Sequence, residues 1–318
     1  MTWGRVVNGF GVDGDVMGPG RGARPRLGRR FALVSVGVVA LLGAVACQGS
    51  DPAPRSIAAA GPTTASTTSS PPAVGASHDP KPVALHRRIS GNRPLRILIA
   101  GDSVGATFAR GMRAWAVANG NAEVFDSSRM WCALGRKLPI SHGLDVAPPG
   151  SGCDGWGTRW PEEIRQFDPD VVFVYFSIWE MAPRQLPGSK DLVQPGFPAL
   201  DAWQLSEYQA AADILSARGA PVVWFTIPCE NAPIETGTPL WQVNRRTVPK
   251  LAASRPAVHV VDLDHELCHN GPSNDYAGVH NARPDGAHLS DAGALAVAKW
   301  VMPIVLGDAP NPQTVSEM

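Results

Sequence analysis

Two short segments of the chain carry the residue types needed for nucleophilic catalysis. Ser103 closes a Gly-Asp-Ser tripeptide at 101–103, and Asp285 and His288 lie three residues apart in an Asp-Gly-Ala-His segment. A serine hydroxyl is a weak nucleophile that needs a base to take its proton, and an imidazole base needs an acidic group to hold its tautomer. The pattern predicts attack by Ser103 on an ester carbonyl, with His288 as general base and acid and Asp285 as the residue that orients it.

Each half of this pattern also has a structural explanation. Ser and Asp are common helix N-caps, and Ser103 lies where a strand is expected to end and a helix to begin. Asp285 precedes the last predicted helix and is a candidate cap for it, while His288 would then be a surface residue. We favour the catalytic interpretation because the two segments occur together, and because the amide of Ser103 at a helix N-terminus suits a developing oxyanion.

Apolar runs that alternate with helical patterns must position these residues. Strands are predicted at 95–100, 122–125, 170–176, 221–227 and 258–263, and helices at 104–118, 160–167, 201–218, 241–254 and 289–306. Such alternation implies a parallel sheet covered by helices on both faces, with the active site at the carboxyl ends of the strands. We predict an α/β fold with three layers, α/β/α, around a five-stranded parallel sheet.

The N-terminal part of the chain has the features of a targeting region. Arginines at 24–30 precede a mostly apolar run at 31–46, which is short for a bilayer-spanning helix, and Cys47 follows it. This order is typical of a secretory signal, and residues 42–48 also resemble a bacterial lipobox, in which the cysteine is acylated. We predict a signal peptide or lipoprotein-type anchor over 1–47. Lipidation at Cys47, ordinary cleavage and an uncleaved anchor are three open outcomes.

The segment after the anchor is rich in Pro, Ala, Ser and Thr and has no apolar periodicity, so it cannot bury enough surface to offset its ordering entropy. We predict a disordered tether over 48–92, one folded domain over 93–308 and a disordered tail over 309–318. The domain would then be exported and held at the outer face of the cytoplasmic membrane or cell envelope, or secreted.

Charge excludes one class of partner. The 318 residues include 28 basic and 28 acidic side chains, and the formal net charge is zero. Phosphate binding needs a surplus of Lys and Arg, so the balance argues against nucleic acid as the main partner. The predicted partners are an ester-bearing carbohydrate or lipid substrate and a membrane, contacted through the N-terminal anchor.

Four cysteines follow the anchor, an even number that fits disulfides in an exported domain. Three pairings are possible. We favour Cys132–Cys153, which closes one loop, and Cys229–Cys268, which joins the loops after two neighbouring strands. The alternative is a zinc site formed by Cys229, His265, Cys268 and His269. No Cys-x-x-Cys knuckle supports it, so no metal is predicted.

Further candidates lie in the long predicted loops at 128–159 and 178–200. Trp131 and Trp179 are expected near the site, and indole faces suit sugar rings. Glu180 is either a second acid in the cleft or a salt-bridged loop residue, and we favour the latter. The Asn-Arg-Arg run at 244–246 is predicted to be a solvated helix face.

These segments together resemble the SGNH/GDSL hydrolase superfamily and, more narrowly, the SGNH domain that follows the membrane domain of bacterial acyltransferase-3 proteins. The resemblance covers about residues 94–307. The segments that match are Gly101-Asp102-Ser103, Trp179-Glu180, Pro228-Cys229, Leu267-Cys268 and Asp285-Gly286-Ala287-His288.

The resemblance implies a flavodoxin-like domain with the SGNH hydrolase fold. It implies action on esters without a cofactor, often on O-acetyl groups of cell-envelope carbohydrate, with the catalytic roles at Ser103, His288 and Asp285. Two segments depart from the family pattern. The family pattern has a Gly whose backbone amide donates to the oxyanion, but this chain has Trp-Cys-Ala at 131–133, so the amide of Ala133 is the remaining donor there. The family pattern also has an Asn that donates to the oxyanion, but this chain has Ser-Ile-Trp-Glu at 177–180.

Two functions follow from this combination. The complete Ser–His–Asp set predicts an exported serine esterase or O-acyltransferase, and the same residues serve both reactions. The altered donor segments favour the alternative, a catalytically inactive SGNH-fold lipoprotein that binds carbohydrate or acts as a scaffold. Ala133, Trp131, Trp179 and Glu180 are the candidates for oxyanion or substrate contacts.

Overall fold

The structure is a computed structural model. It describes residues 93–141, 146–147, 153–230 and 237–307. The predicted anchor, tether and tail lie outside these residues. Within the described part of the chain, no helix combines the length and apolar character that a bilayer span requires.

Five parallel strands form the central sheet, as predicted. In chain order the strands are β1 (Leu95–Gly101), β2 (Ala122–Asp126), β3 (Ile140–Ser141), β4 (Val146–Ala147), β5 (Val171–Tyr175), β6 (Arg184–Gln185), β7 (Leu192–Val193), β8 (Val222–Phe225) and β9 (Val258–Val261). The central sheet has the order β2-β1-β5-β8-β9, and all of its neighbouring strands are parallel. The carboxyl ends of the strands therefore meet at one edge.

Helices cover both faces of this sheet. They are α1 (Ser103–Asn119), α2 (Trp156–Phe167), α3 (Pro198–Leu215), α4 (Gly237–Gln242), α5 (Val248–Ser254), α6 (Leu263–Cys268) and α7 (Asp291–Leu306). In β1, Ile97 and Ile99 pack with α1 and α7, whereas Leu98 and Ala100 pack with α2, α3 and α5. This alternation follows from the two-residue period of a strand, and it confirms the three-layer α/β/α architecture.

Several elements were not predicted. The short strands β4-β3-β6-β7 form a second, four-stranded sheet from the long loops, and α6 follows β9 directly. A π-helical turn, Val243–Thr247, separates α4 from α5. The prediction of a solvated face at 244–246 is wrong for Asn244, which is 3% exposed because its side-chain amide pairs with the backbone N–H and carbonyl of Ile227, at 2.9 and 2.8 Å.

Candidate active site

Ser103 lies at the junction between β1 and α1. Gly101 ends the strand, and a Cβ atom there would lie 2.1 Å from the carbonyl oxygen of Tyr175, so only glycine permits this approach. Asp102, and not Ser103, is the N-cap of α1, since its carboxylate accepts the amide of Val104 at 3.0 Å. Ser103 is therefore the first helical residue, and its hydroxyl and amide both lie at the carboxyl edge of the sheet.

The structure brings His288 and Asp285 to Ser103. His288 Nε2 lies 2.7 Å from Ser103 Oγ, and His288 Nδ1 lies 2.6 Å from Asp285 Oδ2. Asp285 Oδ1 also accepts the amides of His288 and Ala287, at 2.7 and 3.0 Å. Asp285 does not cap the last helix, because Ser290 is the N-cap of α7. The three side chains follow the hydroxyl–imidazole–carboxylate order in which a histidine can take a serine proton.

The electrostatics of Asp285 suit this arrangement. Partial burial raises the pKa of its carboxyl, but hydrogen bonds from the His288 ring and from the amides of Ala287 and His288 outweigh that effect, and the pKa is lowered. An ionised carboxylate holds the proton on His288 Nδ1 and leaves Nε2 free to accept one.

Residues 283–288, here called the His288 turn, are fixed by a buried guanidinium. Arg283 is 2% exposed, and its Nη2 donates to the carbonyls of Gly286 and Cys229. Gly286 has a φ of 79°, a left-handed conformation that favours glycine, and its amide donates to the Arg283 carbonyl at 2.9 Å. Cys229 forms the expected disulfide with Cys268. Arg283 was not predicted from the sequence. The only indication there that it belongs to the site is its position two residues before Asp285.

Residues 131–135, here called the Cys132 loop, extend beyond the end of β1. The amide of Arg129 donates to the Gly101 carbonyl at 2.8 Å, so the residue two positions before this loop lies against the end of β1. Cys132 forms the expected disulfide with Cys153. Ala133 is 9% exposed and lies between Cys132 and Leu134.

The segment after β5 supports the site without the asparagine of the family pattern. Ser177 donates its amide and hydroxyl to Asp102 Oδ2, at 3.0 and 2.5 Å. Trp179 stands at the position of the asparagine, and its ring centroid lies 5.9 Å from that of Trp131. Trp131 is 70% exposed and has a φ of 63°, unusual for a side chain of its size. Trp131 and Trp179 therefore form an aromatic pair between the Cys132 loop and the segment after β5.

Glu180 differs from both predicted alternatives. It is 2% exposed, so its carboxylate does not face a cleft, and it belongs to no salt bridge among the described residues. Its Oε2 accepts the Tyr208 hydroxyl at 2.8 Å, and its Oε1 accepts the amide of Leu134 at 2.5 Å. Burial raises the pKa of Glu180, and the charge of Arg184 partly opposes this.

Two more buried acids lie near the site. Burial raises the pKa of Asp102 to about 7, although Ser177 and Val104 donate hydrogen bonds to it. Burial also raises the pKa of Glu230 to about 7. The hydrogen bond that its carboxylate accepts from the amide of Ile178 and the positive charge of Arg283 partly oppose this rise. Sequence reasoning missed Glu230, although its place just after a predicted strand is a signal for this edge of the sheet.

The zinc alternative does not fit the oxidised site. Ligand atoms of Cys229, Asp264 and Cys268 lie within 4.8 Å of one another. The two sulfurs are bonded to each other, however, and a disulfide sulfur is not the thiolate that zinc binds.

Comparisons with known proteins give one family and a set of structural neighbours. A family model described as an SGNH domain, fused to AT3 domains, matches residues 73–303. Among curated protein sequences, none matches this chain significantly.

Three of the similar solved structures illustrate the neighbours. The periplasmic domain of a lipopolysaccharide acetyltransferase from Salmonella ser. Paratyphi A has a TM-score of 0.44 at 13% identity, over 68% of this chain and 85% of that one. An acetyl xylan esterase has a TM-score of 0.42 at 18% identity, over 64% and 96%. A psychrotrophic esterase from Pseudoalteromonas sp. has a TM-score of 0.43 at 13% identity, over 67% and 97%.

Proposed function

Because this chain belongs to the family of SGNH domains that occur fused to AT3 domains, we propose that it is a serine esterase or O-acyltransferase that forms an acyl-enzyme on Ser103. The observation that carries the proposal is the 2.7 Å contact between His288 Nε2 and Ser103 Oγ, together with the 2.6 Å contact between His288 Nδ1 and Asp285.

The reaction uses these three side chains in two halves. His288 Nε2 takes the proton of Ser103 while Oγ attacks the ester carbonyl, and the resulting imidazolium is stabilised by Asp285. The tetrahedral intermediate expels the alcohol, which takes the proton from His288, and the acyl group stays on Ser103. In the second half His288 deprotonates water or a sugar hydroxyl, which attacks the acyl carbonyl. The bond between the acyl carbon and Ser103 Oγ then breaks, His288 returns the proton to Oγ, and the acyl group leaves as a free acid or as a new sugar ester. Water gives an esterase and a sugar gives a transferase.

The developing oxyanion needs donors, and two backbone amides are the proposed ones. The amide of Ser103 belongs to the N-terminal turn of α1, and Ala133 lies in the Cys132 loop beyond the end of β1. With Trp179 in place of the asparagine, the amide of Ala133 carries more of the stabilisation. A single oxyanion donor is typically worth about 3 kcal/mol of barrier.

The proposed substrate is an O-acyl group, chiefly O-acetyl, on cell-envelope carbohydrate. Trp131 and Trp179 support this choice, because their rings pair, Trp131 is exposed and Trp179 is partly exposed, and an indole face suits the apolar face of a sugar ring. Residues 1–47 and the tether support export and attachment to the outer face of the membrane, either through lipidation of Cys47 or through an uncleaved anchor.

One observation favours a second candidate function, binding without catalysis. The indole of Trp179 stands where the family pattern has an oxyanion-donating amide side chain, and a protein that only bound sugar would keep the aromatic pair and lose the donor. The contact between Ser103 and His288 argues against this candidate, since binding a sugar does not require it.

The two candidates are separated by reactivity at Ser103. The full-length protein in detergent is incubated with p-nitrophenyl acetate and, separately, with a fluorophosphonate probe. The proposed function predicts turnover and labelling that Ser103→Ala abolishes, while Ser206→Ala, at an exposed serine of α3, leaves both intact. A wild-type protein that neither turns over nor is labelled would leave binding as the function. Acetate release from envelope polysaccharide, compared with acetyl transfer between sugars, then distinguishes esterase from transferase.

A further inference from the structure

The direction in which a backbone N–H points depends on the contacts that fix its peptide plane. Every residue except proline has an amide, so the identity of Ala133 does not direct its N–H toward Ser103. Misplacing such a group by about 1 Å can cost a factor of about 100 in rate. The contacts of the Cys132 loop therefore decide whether its amide is useful.

The residue after Ala133 is held on one side by a buried carboxylate. Glu180 Oε1 accepts the amide of Leu134 at 2.5 Å. The carboxylate is itself oriented, because Oε2 accepts the hydroxyl of Tyr208 at 2.8 Å and Gln204 donates to the Glu180 carbonyl at 2.8 Å. Glu180 also follows Trp179 directly, so one short segment carries both the aromatic side chain and this anchor.

Two further contacts hold the same stretch of backbone. The indole Nε1 of Trp156 donates to the carbonyl of Leu134 at 2.8 Å. The disulfide with Cys153 fixes Cys132, the residue before Ala133. Both neighbours of Ala133 are therefore held, and Leu134 is held through its amide and its carbonyl.

We propose that Glu180 is a positioning residue for the oxyanion site: by accepting the Leu134 amide, its carboxylate holds the Cys132 loop so that the amide of Ala133 faces the carbonyl oxygen under attack at Ser103. The inference rests on the proposed function. It assigns to Glu180 a role in which the hydrogen bond matters and contact with the substrate does not occur.

The test compares Glu180→Ala and Glu180→Gln in the full-length protein. Kinetics are measured with p-nitrophenyl acetate and with its thionoester, whose developing charge falls on sulfur, a weaker hydrogen-bond acceptor. Glu180→Ala is expected to lower kcat for the ester about 10- to 100-fold with KM within about 3-fold, and to lower the preference for ester over thionoester by a similar factor. Glu180→Gln keeps a carbonyl oxygen for the Leu134 amide and is expected to stay within about 3-fold of wild type.

A matched control is Asp170→Asn. Asp170 is also 2% exposed and accepts a backbone amide, that of Arg96 at 2.9 Å, but it lies before β5 at the opposite edge of the sheet. Its ester preference should equal that of the wild type. If Glu180→Ala does not fold, Trp156→Phe replaces it: loss of the indole N–H should lower the same preference about 2- to 5-fold.

The outcomes separate the two levels of the proposal. If Glu180→Ala turns over substrate with the ester preference of the wild type, the positioning role alone is overturned. Where Glu180→Ala does not fold, the same result in Trp156→Phe overturns it. A Glu180→Gln protein as impaired as Glu180→Ala also overturns it. Absence of Ser103-dependent turnover in the wild-type protein overturns the proposed function, and the role of Glu180 with it.

Discussion

The His288 turn and the Cys132 loop approach the end of β1 with different chemistry. The turn presents side chains, with the His288 ring 2.7 Å from Ser103 Oγ. The loop presents backbone, and its proposed contribution is the amide of Ala133. Each is tied to one disulfide and one buried ionisable side chain, which is Arg283 for the turn and Glu180 for the loop.

The contrast separates side-chain groups, which can be identified from the sequence, from backbone groups, which cannot. A side-chain group is lost when its own residue is replaced. A backbone group survives most replacements at its own position and is lost when a neighbour that holds it is changed. Substitutions of the residues that hold the His288 turn should therefore affect catalysis differently from substitutions of those that hold the Cys132 loop.

The largest effect is expected from His288→Ala. Removal of the base should lower kcat for p-nitrophenyl acetate by about 10³- to 10⁵-fold, because Ser103 then has no group to take its proton. His280→Ala is the matched control, since His280 also pairs with an aspartate, Asp275, at 3.1 Å, but its side chain is 92% exposed. Steady-state kinetics decide the comparison, and equal activity of the two variants would contradict the role of the His288 turn.

A smaller effect is expected from Arg283→Met. The carbonyls of Cys229 and Gly286 lose their buried donor, so the variant should unfold about 2–4 kcal/mol more easily and lose about 10- to 100-fold in kcat as the turn loosens. The ester preference over a thionoester should not change, since the loop is untouched. Arg255→Met, which removes the partly exposed pair with Asp213 and a hydrogen bond to the neighbouring Ser254 carbonyl, should change neither quantity measurably.

Loss of each of the two disulfides should have a different effect on the preference for ester over thionoester. Their chain-entropy contributions are about 3 kcal/mol for Cys132–Cys153 and about 4 kcal/mol for Cys229–Cys268, from sequence separations of 21 and 39. At a temperature where both double-serine variants stay folded, kcat is expected to fall a few-fold in each. Only loss of Cys132–Cys153 should reduce the ester preference; a reduction in both would show that turn and loop are coupled.

The smallest effect concerns pH and Glu230. Its folded-state pKa of about 7 lies above the ordinary value of 4.5, so the folded protein holds this proton more tightly than the unfolded chain. The resulting stability is present below about pH 4.5 and is lost as pH rises through 7, by up to about 3 kcal/mol. Glu230→Gln should remove that part of the decline in urea unfolding between pH 5 and pH 8.

The neighbours of Glu230 set the background of this measurement. Asp102, whose pKa is also raised to about 7, contributes a decline in the same window, whereas the lowered pKa of Asp285 acts at more acidic pH. Glu123→Gln, at an exposed residue of β2, serves as the control. A variant whose pH slope matched that of wild type would contradict the assigned pKa of Glu230.

What the sequence made predictable follows the same division. Four of the five strands in the central sheet have clear apolar runs, and Ser103, Asp285 and His288 are candidates because the two segments that carry them occur together. The strands of the second sheet have two residues each and therefore no periodicity to detect. The roles of Glu180, Arg283 and Asn244 depend on partners distant in sequence, such as Leu134 for Glu180, and no local pattern indicates these.

The attachment of Arg283 to Cys229 carries a consequence for the timing of maturation. Disulfides form outside the reducing cytosol, so under the proposed export a newly made chain that has not yet crossed the membrane would carry free thiols at Cys229 and Cys268, next to Arg283 and the His288 turn. In that case the His288 turn would gain its disulfide support only after translocation.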